Sequence, residues 1–194
     1  MWGLQQASSP VWTGGLTSLE LLGLGQNIPL GAAPVFLFAK PGTKLPAWAR
    51  KGAWFRPLTL QAPALFSKVP PDKVSYRTAT VGELTLKIST AERAVFELAY
   101  GVHDEASFEQ LDHAMQGMTT LRPEAMQTLL EGCALVRVTR LVLLLADHYQ
   151  LPWLKRVDQS RLDLGSGKRQ LWVGSTIHPT FHISVPKGFL NAVV

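Results

Sequence analysis

The chain has 194 residues, 46% hydrophobic and 17% charged, with a formal net charge of +5. That composition excludes a disordered chain and supplies a sizeable core, so residues 1–194 read as one domain. Charge divides by segment: residues 1–82 hold eight Lys/Arg against two Asp/Glu, 83–136 three against nine, and 137–194 eight against three.

In chain order, residues 1–88 read mainly as strands. Pro10 to Thr13 is a short strand running into Gly14-Gly15. Thr17 or Ser18 then caps a helix from Leu19 to Leu24, ended by Gly23 and Gly25. Ala33 to Phe38 is a buried strand, and Lys40 to Trp48 a loop punctuated by Pro41-Gly42 and Pro46. Ala53 to Leu60 and Val74 to Thr80 are further strands. Leu84, Leu86 and Ile88 alternate with Thr85 and Lys87, the pattern of a half-buried strand.

Residues 89–157 change to a helical period. Ser89-Thr90-Ala91-Glu92 has the spacing of a capping box with Ser89 at the N-cap, followed by Ala91, Ala94, Val95, Leu98 and Ala99 on one face. A second helix aligns Phe108, Leu111, Met115 and Met118. A third opens at Arg122-Pro123 and aligns Met126, Leu129, Leu130 and Cys133. A fourth, from about Leu135 to Tyr149, is apolar nearly all round and should lie at the centre. Pro152 begins a last turn. Residues 158–194 return to strands at Arg161–Leu164, Gln170–Val173 and Phe181–Val185. The expected fold is α+β, a mixed sheet from both basic segments packed against about four helices.

Candidate chemistry fails on spacing. Gly165-Ser166-Gly167-Lys168 resembles a phosphate-binding loop, but Leu162 stands where the first glycine belongs and Arg169 where the hydroxyl belongs. Pro71-Asp72, Glu83 and Lys87 suggest a metal nuclease, but Thr85 replaces the second carboxylate. His178 and His182 lack further ligands at zinc spacing, and Ser166 lacks a His/Asp context. No catalytic residue, metal or cofactor is expected. The lone Cys133 excludes an internal disulfide framework and suits a reducing cytoplasm. There is no signal-peptide pattern, and the greasiest run, Leu141–Ala146, is too short to span a bilayer, so no membrane partner is expected.

Arg93 and Glu97, four apart, read as a surface ion pair. Arg137 and Arg140 sit on an otherwise apolar helix. Either they pair with Glu124 or Glu131, or they join Lys168 and Arg169 in one positive face for nucleic acid or a partner.

Seven stretches, in order, carry a family likeness: Gly14–Gly23 (GGLTSLELLG), Lys44–Trp48 (KLPAW), Ile88–Ala94 (ISTAERA), Leu121–Pro123, Val136–Leu141 (VRVTRL), Pro152–Leu154, and Asp163–Arg169 (DLGSGKR). Together they resemble the AbiEi family of antitoxins from bacterial type IV toxin–antitoxin systems. The resemblance implies a non-enzymatic regulator encoded beside a nucleotidyltransferase-like toxin. It also implies an N-terminal winged helix that binds operator DNA and a C-terminal domain that supplies antitoxin activity. This chain begins roughly where that C-terminal domain would, and nothing before Gly14 can form a winged helix. Any DNA binding is therefore expected to be weak and independent of sequence. The alternative is a general nucleic-acid-binding or protein-interaction module that uses the basic segments without a toxin.

Overall fold

The computed structural model describes residues 1–6, 10–25, 34–69 and 76–191. Five strands form one mixed sheet: β1 (Val11–Thr13), β2 (Val35–Ala39), β3 (Leu58–Gln61), β4 (Tyr76–Val81) and β5 (Leu84–Ser89). Their order is β3-β2-β1-β5-β4, with β1–β2 and β4–β5 antiparallel and β1–β5 and β2–β3 parallel. The β4–β5 hairpin turns at Gly82, whose φ of +59° suits glycine. Period-two alternation divides β2 between two cores. Val35, Leu37 and Ala39 join Val11, Leu4, Leu45 and Ala49 in the smaller one. Phe36 packs on the larger core, which the helices dominate.

The helices are α1 (Trp2–Gln6), α2 (Gly15–Leu21), α3 (Ala47–Lys51), α4 (Ala91–Tyr100), α5 (Glu105–Gln116), α6 (Pro123–Gly132) and α7 (Val136–His148). The last four carry the expected apolar faces: Phe108, Leu111 and Met115 from α5, Met126, Leu129 and Leu130 from α6, and Val138 and Leu141–Ala146 from α7 are all buried. α7 is enclosed as its composition requires. α4 shares the centre with it, touching α2, α5, α6, α7 and β5.

The ends of elements depart from expectation in instructive ways. α4 is capped by Thr90, whose hydroxyl accepts from the Arg93 N–H, while Ser89 ends β5. α2 starts at Gly15 with Gly14 as N-cap, because Thr17 and Ser18 spend their hydroxyls elsewhere. Thr17 Oγ1 accepts from Phe36 N–H, and Ser18 Oγ donates to the Thr13 carbonyl and accepts from Ser89 N–H. Residues 47–51, read partly as loop, form α3, and residues 53–57 precede β3 rather than belonging to it. Ala33, Val74 and the Pro71-Asp72 pair lie outside the described residues.

The C-terminal segment is the main correction. Among the described residues, the strands of the mixed sheet all precede residue 90. After residue 157 the chain forms a short 3-10 turn at Gln159–Arg161, an isolated bridge of Arg169 to Ile183, and a two-stranded pair, β6 (Thr176–Ile177) with β7 (Ser184–Val185). The expected strands at 161–164 and 170–173 do not form. Leu162, Leu164, Leu171 and Trp172 still pack against the large core, so their apolar character reflects docking on helices rather than sheet pairing. His178 and His182 bracket a turn, in which His178 Nδ1 accepts from the Thr180 and Phe181 N–H groups.

Candidate functional site

The seven stretches are far apart in sequence, yet most of them meet through hydrogen bonds. The first and third meet at Glu97. Its Oε1 accepts from Trp12 Nε1 at 2.9 Å and Arg93 Nε at 2.7 Å, and its Oε2 from Gly15 N–H at 3.0 Å and Ser89 Oγ at 2.7 Å. The Arg93–Glu97 pair is thus no surface pair: its side chains are 6% and 0% exposed. The Arg93 guanidinium lies within 4.9 Å of the centres of the Trp12, Phe66 and Tyr76 rings. Its Nη1 is buried with no hydrogen-bond partner, so the rings supply its electrostatic company. Gly14 is required here by close approach, since a Cβ would run into the Glu97 carboxylate and the Phe38 ring.

The third and fourth stretches meet at Glu92, which accepts from Arg122 N–H and Nε on one oxygen and Nη2 on the other. Burial pushes this carboxyl upward, but the Arg122 hydrogen bonds and the helix-end hydrogen bonds prevail and hold it at about 2. Trp153 of the sixth stretch donates to the Met118 carbonyl at 3.0 Å.

The fifth and seventh stretches meet at Arg140. Arg140 is 3% exposed. Its Nε donates to the Leu164 carbonyl at 2.8 Å, Nη1 to Gly167 at 2.7 Å and His182 at 3.2 Å, and Nη2 to Gly165 at 3.2 Å. One guanidinium therefore holds four carbonyls: those of Leu164, Gly165 and Gly167, which lie outside any strand, and that of His182, which also accepts from the Arg169 N–H. Arg137 donates to the Tyr100 and Val102 carbonyls and borders a cleft of about 600 Å³ with Gln61, His103 and Gln170. Neither arginine pairs with Glu124 or Glu131. Those carboxylates bind Arg156 and Arg161 instead.

Lys168 and Arg169 stand exposed on the turn that Arg140 grips, between Gly165 (φ +57°) and Gly167 (φ +74°) on one side and the Ile183 bridge on the other. No carboxylate pairs with either side chain among the described residues. Burial, then the nearby Arg169 charge, lower the Arg140 pKa from its ordinary value, and an arginine keeps its proton even so. The four cations are thus split: Arg140 is an internal support, Arg137 is turned toward carbonyls, and Lys168 and Arg169 face solvent. Sequence reasoning missed the Glu97 network. The signal was present in the short polar residues clustered at Thr13, Ser18 and Ser89 beside apolar runs.

Other chemistry has little footing. Among the described residues no group of three or more His, Cys, Asp or Glu could hold a metal ion, and no helix is long and apolar enough to cross a membrane. Burial pushes the Cys133 thiol up, which favours its protonated form.

No curated protein matches this sequence significantly. The fold is similar to the crystal structure of the RV2827C protein from Mycobacterium tuberculosis, with a TM-score of 0.58 and 14% identity. The likeness covers 94% of this chain but 64% of that one, and at such low identity it speaks to fold alone. A family model matches residues 32–186, from before β2 to beyond β7, and is described as a transcriptional regulator, the AbiEi antitoxin of type IV toxin–antitoxin systems. The stretch Gly14–Gly23 falls outside the match, yet it packs against Ile88–Ala94 inside it. With most of its length matched in this way, the chain belongs to the AbiEi family of antitoxin regulators.

Proposed function

We propose that this domain is the antitoxin arm of a type IV pair, acting in the cytoplasm to neutralise a nucleotidyltransferase-like toxin and linked to control of its own operon. The observation that carries the reading is the family match over residues 32–186. The contact surface assigned to this role is the Lys168–Arg169 turn. Support comes from its geometry: two unpaired cations on a backbone braced from within by Arg140, which suits a contact with phosphate or an acidic partner. The domain works by binding, and no catalytic step is assigned to it.

The test is growth rescue from a co-expressed toxin encoded beside this gene, together with retention of duplex DNA at low salt. Lys168→Glu with Arg169→Glu should abolish rescue or lower DNA retention while leaving the thermal midpoint unchanged. Loss of two phosphate contacts would also flatten the log–log salt dependence by about 2. If the double variant rescues fully and retains DNA like the parent, the turn has no such role. If the parent chain binds DNA without any rescue, the general nucleic-acid-binding alternative takes its place.

A further inference from the structure

Trp2, Trp48, Trp54 and Phe55 are the exposed aromatic side chains among the described residues, and they gather in one region. Trp48 on α3 meets Trp54 edge to face, with ring centroids 6.0 Å apart. Trp54 Nε1 donates to the Ala49 carbonyl at 2.8 Å, which fixes the plane of its indole. Phe55 follows, 94% exposed. On the other side α1 abuts Trp48: a Cβ on Gly3 would lie 3.8 Å from its ring. Rings left in water at such density mark an interaction surface rather than ordinary exterior.

The charge around these rings has one sign. Between Lys40 and Val69 the sequence contains no Asp or Glu. Arg50 and Lys51 on the helix of Trp48, and Lys44 three residues before that helix, are exposed, and no carboxylate pairs with any of them among the described residues. Arg50 and Lys51 are carried on the same five-residue helix as Trp48, so cations and rings are held at fixed offsets.

We propose that this face binds single-stranded nucleic acid. Unpaired bases would stack on Trp48, Trp54 and Phe55, while Lys44, Arg50 and Lys51 follow the phosphates. A duplex fits less well, because its bases already stack on one another and cannot offer their faces to the rings. A lipid surface fits less well, because α3 is a single turn with no long amphipathic face to lay in the headgroup region. An acidic protein would use the cations but has no need of an indole held edge-on. The surface uses none of the residues assigned to the antitoxin role and stands or falls independently of it.

The experiment is fluorescence anisotropy of the full chain with a labelled twelve-nucleotide oligothymidylate. Comparison probes are the same backbone with abasic sites, a duplex of equal length, and phosphatidylserine vesicles. The oligothymidylate should bind most tightly, with a log–log salt slope of about −2 for three phosphate contacts at about 0.7 each. Trp48→Ala, Trp54→Ala and Phe55→Ala should each weaken it at least about fivefold. Arg50→Glu with Lys51→Glu should weaken it and flatten the slope. Phe55 is almost wholly in solvent, so Phe55→Ala and the charge reversal decide the matter even if a tryptophan variant unfolds. The oligothymidylate and the duplex are compared again in Lys168→Glu with Arg169→Glu, which removes the phosphate contacts proposed for the C-terminal turn, and the preference for the oligothymidylate should persist. Equal affinity for the abasic strand, tighter binding of the duplex, unchanged affinity in the ring variants that fold, or retention on vesicles without the oligonucleotide would each overturn the proposal.

Discussion

Glu97 is an ionisable side chain buried completely, and what makes that tolerable is the number of donors aimed at it. Four hydrogen bonds reach its two oxygens, one of them from a cation. A buried pair of this kind is weak evidence of net stabilisation, because desolvating both ions is costly. Breaking it is another matter. Glu97→Ala leaves Arg93 charged among three aromatic rings and strands the donors of Trp12, Gly15 and Ser89. We expect a loss of about 3–5 kcal/mol in urea unfolding. A loss under about 1 kcal/mol would mean that water or a rearranged partner fills the site. Glu92 gives a second, pH-dependent expectation. Its carboxyl titrates near 2 in the folded chain against an ordinary 4.5. Its contribution is therefore complete above pH 4.5 and fades as the pH falls toward 2. Arg122 is 64% exposed, so solvent screening reduces what the shift is worth. Between pH 5 and pH 2 the parent should lose about 2 kcal/mol more than Glu92→Gln. Parallel acid profiles for the two proteins would remove the Arg122 bond from the account.

At the scale of elements, the helices were legible because one signal determines them. The spacing of Met126, Leu129 and Leu130, together with Pro123 at the first turn, locates α6 within a residue or so. Leu129 is fully buried, and Leu129→Ala should cost about 2–5 kcal/mol. The cap of α4 was misplaced by one residue because Ser89 and Thr90 are both good caps, and only tertiary structure decides between them. Glu97 claims the Ser89 hydroxyl, which leaves Thr90 for the helix. Thr90→Ala should therefore cost about 1 kcal/mol through the cap. Ser89→Ala should couple to Glu97→Ala in a double-mutant cycle, and Thr90→Ala should not. Additive effects for Ser89 and Glu97 would contradict this division of labour. The strands after residue 157 were misread for a related reason. Alternating Leu162 and Leu164 look like a strand, but a strand also needs a neighbour for its carbonyls. Here Arg140, twenty-four residues away from Leu164 in sequence, takes that place, and no local pattern reveals it. The contact residues were half legible: an exposed glycine turn could be read for Lys168 and Arg169, whereas the inward course of Arg137 and Arg140 depends on carbonyls that only the fold brings near.

Across the whole molecule, the basic, acidic and basic segments are partly reconciled by pairing. Glu124 and Glu131 of the acidic middle bind Arg156 and Arg161 of the basic C-terminal segment, and Glu20 binds Arg56 within the first. Among the described residues the cations without a salt bridge include Arg50 and Lys51 on the helix that carries Trp48, Lys44 just before it, and Lys168 and Arg169 on the C-terminal turn. The exposed salt bridges add little stability, so they cannot be what fastens the C-terminal segment to the helices. That task falls to Arg140, with the packing of Leu162, Leu164, Leu171 and Trp172. Arg140→Leu keeps an apolar side chain against the α7 surroundings but removes the guanidinium donors to the Leu164, Gly165 and Gly167 carbonyls and leaves that of His182 with the Arg169 N–H alone. Hydrogen bonds from a charged group contribute about 1.5–3 kcal/mol each and are not additive, so a loss of at least about 2 kcal/mol is expected. Arg140→Lys should recover little of it, since an ammonium cannot span four carbonyls with a planar fork. The distinguishing reading is local. Hydrogen exchange should accelerate at Arg169 and Ser184, whose amides bond across this segment, while α5 and α6 keep their protection. Proteolysis near Gly167 should follow the same trend. If exchange at those two amides is unchanged in Arg140→Leu, apolar docking alone holds the segment, and the turn that presents Lys168 and Arg169 owes its shape to something other than this arginine.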